Sequence, residues 1–114
     1  METTLELRLT YWVYLNGIRF FGPGRAELLA HIQETGSISG AAKAMEMSYK
    51  KAWRMVEEMN LEGKSPYVVA KKGGKEGGGT ALTERGKAVV AAYNRLDHKL
   101  QALLKEEQEL LDLI

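Results

Sequence analysis

The chain contains no cysteine, and this absence excludes disulfides, thiolate zinc sites and cysteine nucleophiles together. It also lacks a long apolar run, because no stretch approaches the roughly 20 residues that a membrane-spanning helix needs. The first residues, METTLELRLT, show no basic region followed by an apolar core, so we predict no secretory signal. These absences favour a cytoplasmic protein without a membrane partner.

A large excess of charge of one sign is missing as well. The formal net charge is +1, which is low for a strong nucleic-acid binder, so the distribution of charge matters more than its sum. Residues 43–76 hold eight Lys or Arg against five Glu, a net of +3, whereas residues 94–114 hold three basic against five acidic residues, a net of −2. The middle of the chain is therefore a candidate nucleic-acid surface, although a solvated helix face often shows the same surplus.

The N-terminal part alternates apolar and polar residues. Apolar side chains stand at every odd position from Leu5 to Leu15, which predicts a strand over 5–15 with one buried face. Asn16 and Gly17 supply the positive φ angles of a tight turn, and 18–21 is a short return strand. The sequence therefore predicts an opening β-hairpin.

Three helices are predicted next. Pro23 suits the first turn of a helix, and Gly36 suits its C-terminal cap. Ser37 and Ser48 are residues that commonly cap a helix N-terminus, so a second and a third short helix follow. The predicted helices extend, in order, over 23–35, 37–44 and 48–60.

The second and third helices have the residue types of a helix-turn-helix. Small or flexible apolar residues let the two helices cross closely, and the turn between them holds Met45 and Glu46 where glycine is common. The exposed face of the third helix would enter the DNA major groove, where Arg54 can donate two hydrogen bonds to a guanine edge. An alternative for Trp53 is to fill the core beneath the wing. The predicted DNA contacts on this helix are Ser48, Tyr49, Lys50, Trp53 and Arg54.

A glycine and lysine loop follows between two β-prone runs, at 67–70 and 81–82. Lysines there have the charge for phosphate contacts, and glycines let the backbone approach phosphates closely. A nucleotide-binding P-loop is excluded, because its Gly-Lys pair must be followed by Ser or Thr and here Glu76 follows. A solvated hairpin without a partner is the alternative. The predicted DNA contacts in this wing are Lys71, Lys72, Gly73, Gly74 and Lys75.

The last predicted helix begins after the capping residue Thr83 and continues over 83–113, about 46 Å at 1.5 Å per residue. Apolar residues recur on it at alternating spacings of four and three, with Glu107 as the polar exception, which is a coiled-coil pattern. The helix is too long for one small domain to cover, so we predict a two-fold homodimer; the alternative is packing on the chain's own hairpin. The predicted dimer contacts are Val89, Tyr93, Leu96, Leu100, Leu103, Leu110 and Ile114.

These pieces make an α+β fold and one domain over 1–114: a winged helix-turn-helix with an N-terminal β-hairpin and a long C-terminal dimerisation helix. The hairpin takes 1–22, the helix-turn-helix and wing take 23–82, and the last helix takes 83–114. Domain length and a composition of 45% apolar and 27% charged residues agree with one globular unit.

Two short motifs of the middle region are specific when they occur together: SYK followed by AW over 48–53, and GGK followed by GGG over 73–79. With Ser37-Ile38-Ser39, Glu58-Met59-Asn60 and Leu82-Thr83 they extend over about 36–86, close to half of the chain. In these residues the chain resembles the N-terminal DNA-binding domain of ModE-type molybdate-responsive transcription regulators. LysR-type regulators have similar helix-turn-helix patterns but lack this wing.

The resemblance implies a homodimer that binds an operator in double-stranded DNA. In ModE-type regulators molybdate binds separate C-terminal β-rich domains, and this chain ends at Ile114, so we expect a stand-alone regulator without a molybdate-binding domain. His31 and His98 lie on different predicted helices, and we predict no metal site.

Two other classes of function compete with DNA binding. We predict that the chain is not an enzyme and assign no catalytic residue and no cofactor, because it has no paired carboxylates, no Ser-His-Asp signature and no phosphate fingerprint. The second competitor is a protein–protein interaction module on a winged-helix scaffold. Lys50, Arg54 and Lys75 favour DNA, because a protein-docking surface does not need three cations on the groove-facing side.

Overall fold

The computed structural model describes residues 2–71 and 79–114. It contains two antiparallel two-stranded sheets, β1–β2 and β3–β4, and the helices that pack around them. The predicted α+β class is confirmed. In chain order the elements are β1 (Val13–Leu15), β2 (Ile18–Phe21), α1 (Pro23–Thr35), α2 (Ile38–Ala44), α3 (Tyr49–Glu62), β3 (Val68–Ala70), β4 (Thr80–Leu82), α4 (Glu84–Glu106) and α5 (Glu109–Leu113).

The N-terminal hairpin is shorter than its sequence pattern predicts. Asn16 and Gly17 form the predicted turn with φ of 52° and 80°, but β1 covers only the last three residues of the strand predicted over 5–15. A strand pairs only as far as its partner extends, and β2 ends at Phe21, opposite Val13, because Pro23 starts α1. Residues 2–12, called the arm below, therefore form no strand, and the arm contacts α4 instead.

The helix starts agree with the predicted caps. The Ser37 Oγ accepts a hydrogen bond from the backbone N–H of Gly40 at 2.8 Å, and the Ser48 Oγ accepts one from Lys51 at 3.1 Å. Thr83 caps α4 in the same way through the Gly86 N–H at 3.0 Å. Each side-chain oxygen satisfies an N–H that the first helical turn leaves without a partner. The third helix, α3, continues to Glu62, two residues beyond its predicted end.

The core lies where α1 crosses the helix pair α2–α3 and the wing strands. Leu28, Leu29 and Ile32 of α1 are completely buried on one face of the helix. Small residues of α2 and the apolar stripe of α3 pack against them, so one face of α3 is buried in the core. The α2 and α3 residues of this core are Ile38, Ala41, Ala42, Ala52, Val56 and Met59.

The last helix is not continuous over the predicted 83–113. It ends at Glu106, because Glu107 takes a non-helical ψ of 73°, and a separate short helix, α5, follows. Negative side chains are unfavourable beside the negative C-terminal end of a helix dipole, and three glutamates stand between 106 and 109. The 23 residues of α4 therefore extend about 35 Å, rather than the 46 Å that the apolar repeat predicts.

Candidate nucleic-acid interface

The turn between α2 and α3 sets the angle at which α3 leaves the core. Glu46 adopts the left-handed conformation, with a φ of 53°, at the position where helix-turn-helix sequences commonly use glycine. The backbone N–H of Met47 donates to the Ala42 carbonyl at 3.0 Å, and both Met45 and Met47 pack partly against the core. The left-handed residue costs about 1 kcal/mol, which this hydrogen bond and packing offset.

The outer face of α3 carries large side chains in solvent. Tyr49 is 55% exposed and Trp53 is 46% exposed, while Ala52 and Val56 of the same helix are buried. The alternative in which Trp53 fills the core beneath the wing is therefore wrong; its sequence neighbour Met55 is the residue that packs partly against the core. Tyr49 and Trp53 are four residues apart and so occupy one row of the helix surface.

Cations lie beside this aromatic row. Lys50 and Arg54 are also four residues apart, and both are exposed, as are Lys51 and the capping residue Ser48. Within residues 2–71 and 79–114, no carboxylate forms an ion pair with Lys50, Lys51 or Arg54. The predicted contacts Ser48, Tyr49, Lys50, Trp53 and Arg54 are therefore brought together on one exposed face, which we call the α3 face.

A charged pair behind the α3 face was not predicted from the sequence. Arg25 of α1 donates through Nη1 to the Phe20 carbonyl at 2.6 Å, and through Nη2 to the Glu58 carboxylate of α3. Only 15% of the Arg25 side chain is exposed, whereas 45% of Glu58 is exposed. The guanidinium therefore joins the hairpin, α1 and α3. Residues 25 and 58 are far apart in sequence, and no local pattern indicates that they meet.

Asn60 connects α3 to the wing. Its Oδ1 accepts hydrogen bonds from the backbone N–H groups of Tyr67 at 2.9 Å and Val68 at 3.2 Å, and its Nδ2 donates to the Val68 carbonyl at 2.9 Å. The sequence pattern indicated Asn60 only as the end of the third helix. A polar residue near a helix end that is followed by a β-prone run is the signal that could have indicated this connection.

The wing strands β3 and β4 pair in the register Val68–Leu82, Val69–Ala81 and Ala70–Thr80. Beyond the ladder, the Lys71 N–H donates to the Gly79 carbonyl at 2.8 Å. Lys71 is exposed at the outer end of the described wing. The other predicted wing contacts, Lys72, Gly73, Gly74 and Lys75, lie outside the described residues.

The predicted dimer residues differ in how far their own chain covers them. Val89 and Tyr93 pack partly against the chain's own core, whereas Leu96 and Leu103 of α4 are 46% and 52% exposed. Leu100 is half-buried, and Leu110 and Ile114 at α5 are 56% and 77% exposed.

The arm covers the side of α4 next to Tyr93. The rings of Tyr11 and Tyr93 stack with centroids 4.5 Å apart, and each hydroxyl donates to the other residue's carbonyl, at 2.7 and 3.2 Å. Gln101 donates to the Leu9 carbonyl at 3.2 Å. Desolvation, followed by the negative charge of Asp97, raises the pKa of Tyr11, and desolvation is also the main cause of the raised pKa of Tyr93.

The described residues include neither a membrane-spanning helix nor a group of metal ligands. No helix among them is long and apolar enough to cross a membrane. No three His, Asp or Glu side chains in residues 2–71 and 79–114 lie together in a group that could hold a metal ion.

Comparison with known proteins gives several relatives, among them proteins named ModE. The chain is 42% identical over 88 residues to the molybdenum transport protein ModE of Azotobacter vinelandii, covering 77% of this chain and 33% of that protein. It is 38% identical over 110 residues to the transcriptional regulator ModE of Haemophilus influenzae, covering 94% of this chain and 42% of the relative. The DNA-binding transcriptional dual regulator ModE of Escherichia coli is 43% identical over 77 residues, 68% of this chain and 29% of the relative. No protein-family model matches the chain.

The chain thus spans between about a third and two fifths of the length of the first two of these relatives. Among solved structures, a LysR family transcriptional regulator superposes with a TM-score of 0.54 at 21% identity, over 75% of this chain and 27% of the other. That likeness supports the winged-helix fold. Over most of its own length, this chain is a relative of the ModE transcriptional regulators, which confirms the resemblance that its motifs indicate.

Proposed function

We propose that this chain binds operator DNA as a ModE-like transcription regulator, through the α3 face and the wing. The observation that carries the proposal is the α3 face itself, where two exposed aromatic rings and exposed cations share one side of a helix. The opposite side of that helix is buried against the core. A helix fixed in this way presents its outer side to the major groove, which is wide enough to admit it.

Each side chain of the α3 face has a contact that suits its chemistry. Arg54 can donate two parallel hydrogen bonds to the O6 and N7 atoms of guanine, the commonest specific contact in the major groove. Lys50 and the N-terminal end of α3 suit phosphate, because the helix dipole favours an anion there. The rings of Tyr49 and Trp53 offer apolar surface to thymine methyl groups.

The wing would add contacts to the sugar–phosphate backbone. Lys71, Lys72 and Lys75, called the wing lysines below, supply positive charge, and Gly73 and Gly74 leave room for a close approach of the backbone. These contacts carry no base preference themselves. They would fix the orientation of α3 in the groove and supply much of the affinity through counterion release.

We also propose a homodimer that forms through the exposed leucines of α4. Leu96 and Leu103 are seven residues apart, or two helical turns, and both remain about half exposed in the single chain. A two-fold dimer would carry two α3 faces, one for each half-site of an operator. Such a regulator would act in the cytoplasm, where it can reach chromosomal DNA.

The competing functions have less support. A protein-docking module does not account for the exposed cations of the α3 face, and the relatives are described as transcription regulators rather than enzymes. We therefore assign no catalytic role to any residue.

Binding to DNA selected from a genomic fragment pool tests the proposal. Arg54→Ala should weaken binding to the selected duplex by about 1 to 3 kcal/mol and relax selectivity at one base pair. Lys51→Ala is the matched control, because it removes an equal charge from the same helix at a position outside the predicted contacts. If Arg54→Ala and Lys51→Ala lost the same affinity, both on random and on selected DNA, Arg54 would be a phosphate contact and not a base contact. Failure of the wild-type chain to retain any duplex would refute the proposed function.

A further inference from the structure

The wing is fixed to the helix-turn-helix at two separate points. At its first strand, Asn60 of α3 holds the backbone of Tyr67 and Val68. At its second strand, the backbone N–H of Thr80 donates to the carbonyl of Gly36 at 2.9 Å. The second point joins β4 to the turn between α1 and α2, which we call the wing joint.

Gly36 has two functions in the wing joint, both through its backbone. It ends α1 in the left-handed conformation, with a φ of 77°, and its N–H donates to the Ile32 carbonyl at 2.8 Å. Its carbonyl accepts the hydrogen bond from Thr80. The next residue, Ser37, caps α2. The start of the helix-turn-helix and the start of β4 therefore meet at one peptide group.

Gly79 lies directly against this peptide group. A Cβ atom placed on Gly79 would be 2.4 Å from the Gly36 carbonyl oxygen and 3.6 Å from its carbonyl carbon. The shorter distance is far below van der Waals contact between carbon and oxygen, and both partners are backbone atoms, so no side-chain rotation could relieve it. Gly79 also accepts the hydrogen bond from Lys71 that extends the wing ladder. Any other residue at position 79 must move β4 away from the α1–α2 turn.

We infer that Gly79 is a positioning residue for DNA recognition: its lack of a side chain lets the wing joint close and so fixes the wing relative to the α3 face. The inference rests on the proposed function, in which the wing and α3 contact one duplex together. Two surfaces that must fit adjacent parts of DNA bind more tightly when their separation is fixed in advance, because less freedom is lost on binding. Asn60 holds the start of β3, and the hydrogen bond from Thr80 to Gly36 holds the start of β4 to the α1–α2 turn.

The first test measures the joint without DNA. Hydrogen exchange of the Thr80 amide, followed by NMR on the full chain, should be slow in the wild type because this N–H donates to Gly36. In Gly79→Ala the exchange should accelerate by about tenfold or more. Gly24→Ala is the matched control, because a Cβ there has no atom within 4 Å and alanine suits a helix. A Thr80 amide that exchanges in the wild type as fast as exposed amides would overturn the inference, and this result needs no variant that folds.

The second test measures the consequence for DNA. On the duplex selected by the wild-type chain, Gly79→Ala should lose about tenfold or more in affinity, while Gly24→Ala keeps the wild-type value. Combining Gly79→Ala with replacement of the wing lysines should give less than the product of the two separate losses, because both changes remove the same contacts. Fully multiplicative losses, or an affinity loss with an unchanged Thr80 exchange rate, would overturn the inference. If the wild-type chain bound no duplex, the proposed function would fail, and the exchange measurement would still decide whether Gly79 closes the joint.

Discussion

Replacing Asn60 by alanine should cost more stability than any substitution on the α3 face. The side chain makes three hydrogen bonds to two consecutive backbone residues at the start of β3, at 2.9, 3.2 and 2.9 Å. Alanine removes all three bonds at once and leaves two N–H groups and one carbonyl of the wing without this partner. These groups are partly buried, so water replaces the lost bonds incompletely.

The size of the effect follows from these bonds. Each contributes about 1 kcal/mol net, which gives about 3 kcal/mol for the three. Alanine in the last turn of α3 recovers about 0.5 kcal/mol, because asparagine is a poorer helix former. The expected loss in the free energy of unfolding is therefore about 2.5 kcal/mol, or a fall in Tm of roughly 10 °C for a domain of this size.

Urea denaturation followed by circular dichroism measures this loss. The midpoint should fall while the slope of free energy against urea stays constant, because the same surface is exposed on unfolding. Asn94→Ala is the control: Asn94 is an exposed residue of α4, and its replacement should change stability by less than about 0.5 kcal/mol. A loss below about 1 kcal/mol for Asn60→Ala would refute the reasoning, since it would mean that the three bonds do not fix the wing.

Three further outcomes are expected. Replacing the wing lysines by alanine should reduce the slope of log affinity against log salt concentration, because fewer counterions are released; an unchanged slope would remove the wing from the DNA surface. Leu103→Glu should give monomers in sedimentation, whereas Leu61→Glu, at a 78% exposed leucine of α3, should not. Tyr11 and Tyr93 stabilise the fold in their neutral form, so their contribution is complete below the usual pKa of 10.0 and is lost as pH rises through the raised values. A Tyr11→Phe/Tyr93→Phe double variant should lose less stability than the wild type on alkaline titration.

The helix caps could be predicted because their signals are local. Ser37, Ser48 and Thr83 each stand directly before a helical segment, and the atoms that they bond lie three residues further on. The turn at Asn16 and Gly17 is local in the same sense. The apolar stripe of α3 and the exposed face opposite it follow from helical periodicity alone.

What the sequence could not predict depends on contacts between distant segments. The alternation over 5–15 is typical of a strand, but the strand needs a partner, and β2 has only four residues. Tyr11, which belongs to this alternation but lies outside β1, instead contacts Tyr93 of α4, about 80 positions later in the chain. The Arg25–Glu58 pair likewise cannot be predicted from a short stretch of sequence, because its two residues are 33 positions apart. The apolar repeat continues past Glu106 and therefore predicts a longer helix than α4. The adjacent glutamates oppose helix continuation, and α4 ends at Glu106.

The apolar repeat of the last helix divides into a part that packs on its own chain and a part that remains exposed. Where α4 lies over the core, Val89 and Tyr93 contact their own chain, and Tyr11 covers Tyr93. Beyond the core, the same repeat continues as Leu96 and Leu103, which remain about half exposed. A continuous repeat does not reveal this change, because leucine in a core and leucine in a dimer interface have the same spacing. A substitution at Tyr93 would therefore reduce the stability of the monomer, whereas one at Leu103 would test association alone, and for this reason Leu103 is the position at which the proposed dimer should be tested.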